Sequence, residues 1–122
     1  MQKICGLNTA PVFCPIVADF YSGMVVTVAL HASQLKGKPK DAEQVYRELY
    51  TTPLVRYIPC PEGMMAGNAM ADRDDMEITV AGSGERILLI SRFDNLGKGA
   101  SGAAIQNMNL MLGAEETFGL VF

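Results

Sequence analysis

An apolar run rich in β-branched residues occupies positions 23–32, with the sequence GMVVTVALHA. β-branched side chains favour an extended backbone, so this run predicts a β-strand. Successive side chains of a strand point to opposite faces of the sheet. One face carries Met24, Val26, Val28 and Leu30, and the other carries Val25, Thr27, Ala29 and His31. Because both sets are largely apolar, the pattern predicts a strand that is covered on both sides.

A helical period replaces the alternation after the polar loop SQLKGKPK at residues 33–40. Apolar residues recur there at spacings of three and four, which is typical of an amphipathic helix. Pro39 and Asp41 suit its first turn, where an N–H is not needed and a carboxylate is favoured. Pro53 ends the helix, since it favours an extended backbone at Thr52. The predicted apolar stripe consists of Ala42, Val45, Tyr46, Leu49 and Tyr50.

Shorter elements are predicted from local patterns on either side of this helix. The run PVFCPIVADF at 11–20 indicates a short buried or edge strand, and LVRYIP at 54–59 indicates another. The glycine-rich and then charged stretch at 60–75 predicts an irregular loop. Two β-rich runs, MEITVAG and RILLISRFD, flank Ser83 and Gly84 and predict a hairpin.

The last predicted element is a helix that ends at Gly113, because glycine commonly follows a helix C-terminus. Its apolar stripe consists of Ala104, Ile105, Met108, Met111 and Leu112. The predicted order is strand, strand, helix, strand, hairpin and helix. This order predicts an α+β fold, with helices on one face of a mixed, largely antiparallel sheet.

Composition and charge describe one globular domain. The 122 residues are 49% hydrophobic and 19% charged, which suffices to bury a core. The net charge is −3 and no run of basic residues occurs, which argues against nucleic-acid binding. No apolar run is long enough to span a bilayer. The opening MQKICGL lacks the apolar core of a secretory signal, so we expect a cytoplasmic protein.

Cysteine and histidine offer few catalytic candidates. Cys5, Cys14 and Cys60 form no CxxC pair, and their odd number argues against a disulfide framework. We expect reduced, mostly buried thiols. The only histidine, His31, lies in the predicted strand and is expected at the core or its rim. No spacing indicates a Cys–His pair or a zinc site.

An acidic cluster surrounds Arg73 in the loop before the hairpin, and it consists of Asp72, Asp74, Asp75 and Glu77. Carboxylates at such spacing can bind a metal ion. A solvated loop with a local ion pair is far commoner. The cluster therefore predicts an ion pair at Arg73 and no metal site.

The segment NLGKGASG at 95–102 gives the sharpest signal of chemistry. Gly97, Gly99 and Gly102 would let the backbone approach a ligand closely. Lys98 adds a positive charge near a helix N-terminus, where free N–H groups favour anions. The spacing matches neither the GxxxxGK[ST] loop nor the GxGxxG fingerprint. From the residues alone, the segment is either an anion or cofactor cradle or a flexible lead into a packed helix.

The segment DNLGKGASGAAIQNMNLMLG, from Asp94 to Gly113, strongly resembles the C-terminal signature of the N-acetyl-gamma-glutamyl-phosphate reductases. That family belongs to the aspartate-semialdehyde dehydrogenase-like group. Upstream, PVFCPIVADFYSGM resembles the family's Phe-x-Pro strand, which a glycine and an apolar strand follow. The stretch GNAMADRDDMEITVAGSGERILLISRFDN resembles the loop and hairpin that lead into the signature. The resemblance therefore spans nearly the whole chain, and the final motif is its most specific part.

The resemblance implies NADPH-dependent reduction of an acyl phosphate to a semialdehyde in arginine biosynthesis. In the family a cysteine thiolate attacks the acyl phosphate, a histidine acts as acid and base, and hydride reduces the thioester. The family's Rossmann half, nucleophile motif and histidine motif have no match here, so no residue of this chain is assigned a catalytic role. Ile16 and Ser22 stand where many relatives carry a histidine and an arginine, so the anion contacts of those two side chains are not carried over.

The resemblance assigns cofactor contacts to Asn95, Lys98 and Gly99, and NADP is the implied cofactor. Asn95 would offer its amide to the nicotinamide carboxamide. Lys98 and the N–H of Gly99 would lie near phosphate or carboxamide groups. No metal is implied.

The resemblance also implies a division at residue 93. Residues 1–93 would form a substrate and dimerisation domain, and 94–122 would be the loop and helix that belong to the cofactor-binding domain. The implied partners are an N-terminal Rossmann domain and a second copy of the chain, and the chain by itself is expected to be inert. Two alternatives remain: a stand-alone homodimeric binding or scaffold domain, and one subunit of a split reductase. A neighbouring polypeptide is expected to cover Met108 and Leu112.

Overall fold

The computed structural model describes all residues from Met1 to Phe122. Its strands are β1 (Met24–His31), β2 (Thr51–Thr52), β3 (Val55–Tyr57), β4 (Met76–Ser83) and β5 (Arg86–Phe93). Its α-helices are α1 (Gln2–Cys5), α2 (Pro39–Leu49) and α3 (Gly102–Leu112), with a 3₁₀ turn at Ala32–Gln34 and a π-helical turn at Gly97–Ser101. The predicted hairpin, both longer helices and the irregular loop before β4 are confirmed.

All five strands belong to one mixed sheet, in the spatial order β1-β5-β4-β3-β2. β5 pairs antiparallel with both β1 and β4, and β3 pairs parallel with β4. A parallel pair needs a crossover connection, which explains the long loop between β3 and β4. The predicted α+β fold with a mixed, largely antiparallel sheet is confirmed.

Different parts of the chain lie on the two faces of the sheet. On one face, hereafter the helix face, α2 packs so that Tyr46 and Leu89 line the same groove. On the other, hereafter the loop face, the connection between β3 and β4 comes near β1, and Gly67 and Thr27 line a common groove. The two sides of the sheet therefore present different surfaces.

α2 begins at Pro39, and local contacts account for its position. The backbone N–H of Lys38 donates to the Asp41 carboxylate at 2.6 Å, which ties the incoming loop to the first turn. The guanidinium carbon of Arg47 lies 4.8 Å from the centre of the Tyr57 ring, and this cation–π contact joins the helix to β3. The predicted helix is confirmed with its predicted start.

Residues 11–20 form no strand, so that prediction is wrong. The segment has no regular structure over Pro11–Ala18, and Val12 and Val17 are each 96% exposed. Pro11 and Pro15 lack the N–H that a sheet ladder needs, and the apolar side chains between them do not reach the core. The neighbouring edge of β1 consequently remains unpaired.

β1 is not covered on both sides, which corrects the second prediction for this region. It forms the edge of the sheet, with Val26 and Val28 exposed by 41% and 48% on the helix face. Val25 on the loop face is 37% exposed. α2 packs over β3 and β4 and leaves β1 uncovered. The apolar alternation is sufficient to form the strand, but coverage depends on other segments.

α3 ends at Gly113, which adopts the left-handed conformation with a φ of 67°. Gly102 and Asn109 are its only buried residues. Its apolar stripe faces outward, with Met108 and Leu112 exposed by 52% and 74%. That another polypeptide covers this stripe stays a prediction.

The buried hydrophobic core is small, and it consists of Leu54, Met70, Ile78, Ile87 and Ile90. Three of these side chains belong to the adjacent strands β4 and β5, and the other two come from the segments directly before β3 and β4. No helix combines the length and the apolar composition needed to cross a bilayer.

Candidate functional site

A buried carboxylate lies where the sheet, the loop before β4 and the last helix meet. Asp94 directly follows β5 and is 2% exposed. Its Oδ2 accepts hydrogen bonds from the Ser22 hydroxyl at 2.8 Å and the Asp72 N–H at 2.6 Å. Its Oδ1 accepts from the N–H groups of Leu96 at 2.7 Å and Gly97 at 3.0 Å. One side chain therefore joins three separate segments.

These hydrogen bonds determine the protonation state of the Asp94 carboxylate. Burial by itself would raise the pKa of Asp94, but the three backbone N–H groups and the Ser22 hydroxyl outweigh it and hold the pKa below its usual value. The donor residue Asp72 has a φ of 61°, a left-handed conformation that aspartate tolerates better than most residues. The Asp94 carboxylate is therefore anionic at neutral pH.

Asn95 lines a groove of about 710 Å³ on the loop face. Its Oδ1 accepts the N–H of Gly23 at 2.8 Å, which fixes the side chain at the start of β1. Its Nδ2 makes no hydrogen bond within the chain. The wall beside it is mostly apolar and includes Phe20, Tyr21 and Val25. One free amide donor against an apolar wall can orient a carbonyl group of a flat ligand.

The glycine-bearing segment before α3 forms a π-helical turn, Gly97–Ser101, and packs closely on the loop before β4. A Cβ on Gly97 would lie 2.4 Å from the Arg73 carbonyl oxygen. A Cβ on Gly102 would lie 2.2 Å from Asp74 Oδ1. Both distances are far below van der Waals contact, so this packing by itself requires glycine at the two positions. π-helical turns are frequent at functional sites.

The C-terminal tail folds back onto Asp74, in the loop before β4. The N–H of Asp74 donates to the Val121 carbonyl at 2.6 Å, and the N–H of Val121 donates to Asp74 Oδ2 at 3.0 Å. The buried Nδ2 of Asn109 donates to the carbonyls of Glu116 and Phe118 at 3.1 and 2.8 Å. The buried side of α3 is therefore polar, and the C-terminal tail supplies its hydrogen-bond acceptors. The apolar stripe of the helix consequently faces outward.

Lys98 starts a short chain of polar side chains along α3. Its Nζ donates to Gln106 Oε1 at 2.7 Å, and Gln106 Nε2 donates to Glu116 Oε1 at 2.7 Å. Burial lowers the pKa of Lys98, while the carboxylates of Glu116 and Asp74 oppose that effect. An ammonium group has three donors, so two N–H groups of Lys98 remain for a ligand.

Gly99 has a packing role in this chain. Its N–H donates to the Asp94 carbonyl at 2.8 Å, and its absent Cβ would lie 3.2 Å from Phe93 Cε2. A contact from this N–H to a phosphate or carboxamide would compete with the existing bond. All three residues with implied cofactor contacts thus lie in the turn between β5 and α3.

The ion pair predicted at Arg73 is confirmed and is part of a larger network beside the turn. Arg73 binds Asp75 through two hydrogen bonds of 2.7 and 2.9 Å. Arg56 bridges Asp75 at 3.2 Å and Glu77 at 2.9 Å, and Arg92 also binds Glu77. Each carboxylate is held by two guanidinium groups. No group of three or more metal-ligating side chains is close enough to hold a metal ion.

All three cysteines are exposed, so the prediction of mostly buried thiols is wrong. Cys5 lies in α1, Cys14 in the irregular N-terminal segment and Cys60 in the loop before β4. These segments place their cysteines away from the small core. His31 is exposed at the end of β1, a rim position. Neither residue type forms a catalytic pair.

Sequence reasoning assigned no role to Asp94, although one signal was present. An aspartate shortly before a helix often accepts backbone N–H groups of the next residues, as Asp94 does here. Its contacts with Ser22 and Asp72 had no sequence signal, because they join residues far apart in the chain.

Most of the chain, including the sheet, matches a known protein family. The profile of the family "Semialdehyde dehydrogenase, dimerisation domain" matches residues 1–95. This range includes the sheet, together with Ser22 and Asp72, which donate to Asp94 from the segments before β1 and β4. The chain belongs to this family. The matched range ends next to residue 93, where the resemblance implied a division of domains, and that division stays a prediction.

Three curated relatives of this semialdehyde dehydrogenase dimerisation domain carry the same name. The N-acetyl-gamma-glutamyl-phosphate reductases of Brucella ovis, Brucella canis and Brucella suis are each 40% identical to it over 116 residues. Each match covers 88% of this chain and 37% of the relative. The chain therefore spans little more than a third of the length of these relatives. The resemblance drawn from the Asp94–Gly113 signature is confirmed.

Proposed function

We propose that this chain is the C-terminal part of an NADPH-dependent reductase. The reductase would convert N-acetyl-glutamyl phosphate to the semialdehyde, in arginine biosynthesis and in the cytoplasm. The observation that carries the proposal is the 40% identity to reductases of that name across 88% of the chain. The chain would contribute a subunit contact and one side of the cofactor site, and it would be inert by itself.

The turn after β5 offers groups that fit a nicotinamide nucleotide. Asn95 has a free amide donor beside an apolar wall, which suits a carboxamide on a flat ring. Lys98 has two free N–H groups and a positive charge, which suit a phosphate. Gly99 keeps this side of the turn free of a side chain. When bound, the cofactor supplies the hydride, and these residues would orient it.

The outward stripe of α3 supports a function that requires another polypeptide. Met111 and Leu112 are 87% and 74% exposed, and such contiguous apolar surface marks an interaction site. We assign this stripe to the cofactor-binding domain of the reductase, and we assign a homodimer to the sheet domain. A stand-alone homodimeric domain and one subunit of a split reductase are the alternatives, and the second would use the same stripe.

A chimera tests the proposal. These 122 residues replace the matching stretch of the Brucella ovis reductase, and the product is assayed for semialdehyde- and phosphate-dependent reduction of NADP. We expect turnover by the chimera and none by the chain alone. Turnover by the chain alone would overturn its assignment as an inert part. A folded but inactive chimera would contradict the reductase function.

Asn95→Asp in the active chimera tests the cofactor contact specifically. The aspartate retains an acceptor for the Gly23 N–H and removes the free Nδ2 donor. We expect the KM for NADP to rise about tenfold, which is the effect of one lost hydrogen bond. Asn107→Asp is the matched control, since Asn107 is exposed on α3 and its Nδ2 binds only the Ala103 carbonyl. Equal kinetics for the two variants would refute the role of Asn95.

A further inference from the structure

The C-terminal tail, residues 114–122, is fixed against α3 by one buried residue. Asn109 is 2% exposed, and its Nδ2 donates to the carbonyls of Glu116 and Phe118 at 3.1 and 2.8 Å. Its backbone carbonyl accepts the N–H of Ala114 at 2.9 Å, just after the helix ends. The backbone at Glu116 is therefore held in one place beside the helix.

The side chain of Glu116 is held by the same helix. Gln106 lies on the same side of α3 as Asn109, because residues three apart are neighbours on a helix surface. Gln106 Nε2 donates to Glu116 Oε1 at 2.7 Å. The neighbouring Glu115 makes no such contact with the helix, and its Oε1 accepts from the Thr117 hydroxyl at 3.4 Å. Glu116 is thus the tail carboxylate that α3 fixes at both its main chain and its side chain.

The partners of Gln106 determine which way its amide group points. An ionised carboxylate can only accept, so the NH₂ group of Gln106 faces Glu116. The amide oxygen then faces Lys98, whose Nζ donates to it at 2.7 Å. An ammonium can only donate, so the reverse orientation of the amide would leave both hydrogen bonds unmade. The series Lys98, Gln106, Glu116 therefore satisfies all three groups in one arrangement.

This series of hydrogen bonds orients the Lys98 ammonium without neutralising it. No ion pair of the structure includes Lys98. The carboxylates that interact with it electrostatically are Glu116, Asp74 and Asp75, and each accepts a hydrogen bond from another group. Burial lowers the pKa of Lys98, and Glu116 is the largest opposing influence. Two N–H groups of the ammonium consequently remain for an anion.

Ordering Lys98 before a ligand arrives affects affinity. A lysine side chain is a flexible four-carbon stem, and a ligand that has to immobilise it loses affinity. A side chain that is already ordered avoids much of this loss. Gln106 and Glu116 can therefore influence a ligand of Lys98 without contacting it.

We propose that Gln106 and Glu116 are positioning residues of the cofactor site, which hold the Lys98 ammonium in place for a phosphate group. The inference rests on the proposed function, in which Lys98 contacts the cofactor, and it adds the C-terminal tail to that site through Glu116. Loss of either residue weakens cofactor binding and leaves the chemical step intact, so KM for NADP rises while kcat stays constant.

The first test measures the order of Lys98 in the 122-residue chain and requires no activity. ¹³C relaxation at Cε reports the amplitude of fast side-chain motion. We expect Cε of Lys98 to be more ordered than Cε of Lys36, which is exposed and makes no hydrogen bond. Gln106→Leu should make Lys98 as mobile as Lys36. Equal order of Lys98 in the native chain and in folded Gln106→Leu would overturn the proposal.

The second test uses the active chimera, with circular dichroism to verify folding. We expect Gln106→Leu to raise KM for NADP about fivefold, which corresponds to the ordering of one long side chain. Glu116→Ala keeps the carbonyl that Asn109 holds and should raise KM about twofold, because the bond between Lys98 and Gln106 remains. Glu115→Ala is the matched control and should leave KM unchanged.

A Lys98→Met background shows whether the two residues act through Lys98. There Gln106→Leu and Glu116→Ala should have no further effect on KM, because the group that they position is absent. A rise in KM that persists in this background would assign their effect to folding and overturn the proposal.

The outcomes separate this inference from the function on which it rests. A folded but inactive chimera overturns the reductase function and the phosphate ligand with it, even if relaxation shows that Lys98 is ordered by Gln106. An active chimera in which Gln106→Leu leaves KM for NADP unchanged overturns the positioning role and leaves the reductase function standing.

Discussion

At the scale of single residues, Asp94 has the greatest structural effect in the turn between β5 and α3. Its carboxylate accepts hydrogen bonds from residues as far apart in the chain as Ser22 and Gly97. Hydrogen bonds to a charged acceptor are about twice as strong as those between neutral groups. The carboxylate therefore fixes the backbone on which Asn95 and Lys98 are carried.

Asp94→Asn is expected to lower the free energy of unfolding by about 2–4 kcal/mol. The amide keeps one acceptor oxygen and turns an NH₂ group towards N–H donors that then have no partner. Urea unfolding followed by circular dichroism measures the change. Asp19→Asn is the control, because Asp19 is exposed and makes no hydrogen bond, and it should shift the value by less than about 0.5 kcal/mol.

The same carboxylate makes stability depend on pH in a defined direction. The folded-state pKa of Asp94 is lower than its usual value, so its contribution is complete above the ordinary aspartate pKa of about 3.9. The contribution falls as the pH drops towards and through the lower folded-state pKa. We expect the difference in urea midpoint between native protein and Asp94→Asn to be constant from pH 7 to 5, and to shrink below about pH 4. A difference that is unchanged at pH 3 would contradict this account.

Sequence reasoning at this scale named three residues of the turn between β5 and α3 and missed Asp94, whose carboxylate joins that turn to two other segments. Asn95, Lys98 and Gly99 were named through the resemblance of the whole motif. Asp94 was not named, because two of its four donors come from other segments of the chain. A local pattern cannot reveal partners that only the folded chain brings together.

At the scale of elements, the glycines before α3 are explained by how that helix meets the loop before β4. Gly97 and Gly102 face Arg73 and Asp74 at distances that no Cβ could occupy. The glycines therefore do not by themselves indicate a ligand, and the free donors of Asn95 and Lys98 are the stronger support for one.

Gly102→Ala is expected to destabilise the chain, although alanine is the better helix former by about 1 kcal/mol. The new Cβ would lie 2.2 Å from Asp74 Oδ1 and 2.8 Å from Asp74 Cγ. We expect a net loss of about 1–3 kcal/mol by thermal or urea unfolding. In an Asp74→Ala background those two atoms are absent, so the loss should be smaller. An equal loss in both backgrounds would show that contact with Asp74 is not the cause.

The helices and strands that have a regular hydrophobic period were predictable from the sequence. Which of their faces other segments cover was not predictable. α2 was predicted with its start because its stripe and its first-turn residues are local signals. β1 was predicted as a strand for the same reason, but its coverage on both sides was wrong. Residues 11–20 have the composition of a strand and form none, since strand pairing requires a partner edge and free N–H groups.

At the scale of the whole molecule, the chain presents two separate apolar surfaces. One is the outward stripe of α3, and the other is the exposed helix-face side of β1, which includes Val26 and Val28. The buried side of α3 is held to the C-terminal tail by Asn109, whose Nδ2 donates to the carbonyls of Glu116 and Phe118. The stripe is therefore not required for folding of the chain, and its substitution should affect association and leave stability unchanged.

Met111→Glu tests this separation. The side chain is 87% exposed within an apolar stripe, so we expect lower binding of the dye ANS and a melting temperature within about 2 °C of the native value. Met64→Glu is the matched control, because Met64 is fully exposed but lies in an irregular loop outside the stripe. Equal dye binding by both variants would mean that the stripe is not a continuous apolar surface.

The strand order has a consequence for synthesis of the chain. Within the sheet β1 pairs with β5 alone, and Met24 meets Phe93 roughly 70 residues later. A ribosome adds about 5–20 residues each second, so β5 is synthesised about 4–14 seconds after β1. Throughout that interval β1 is an apolar segment with both edges open. The nascent polypeptide is therefore most prone to aggregate before β5 has emerged, and holding β1 apart during those seconds would be the task of a chaperone.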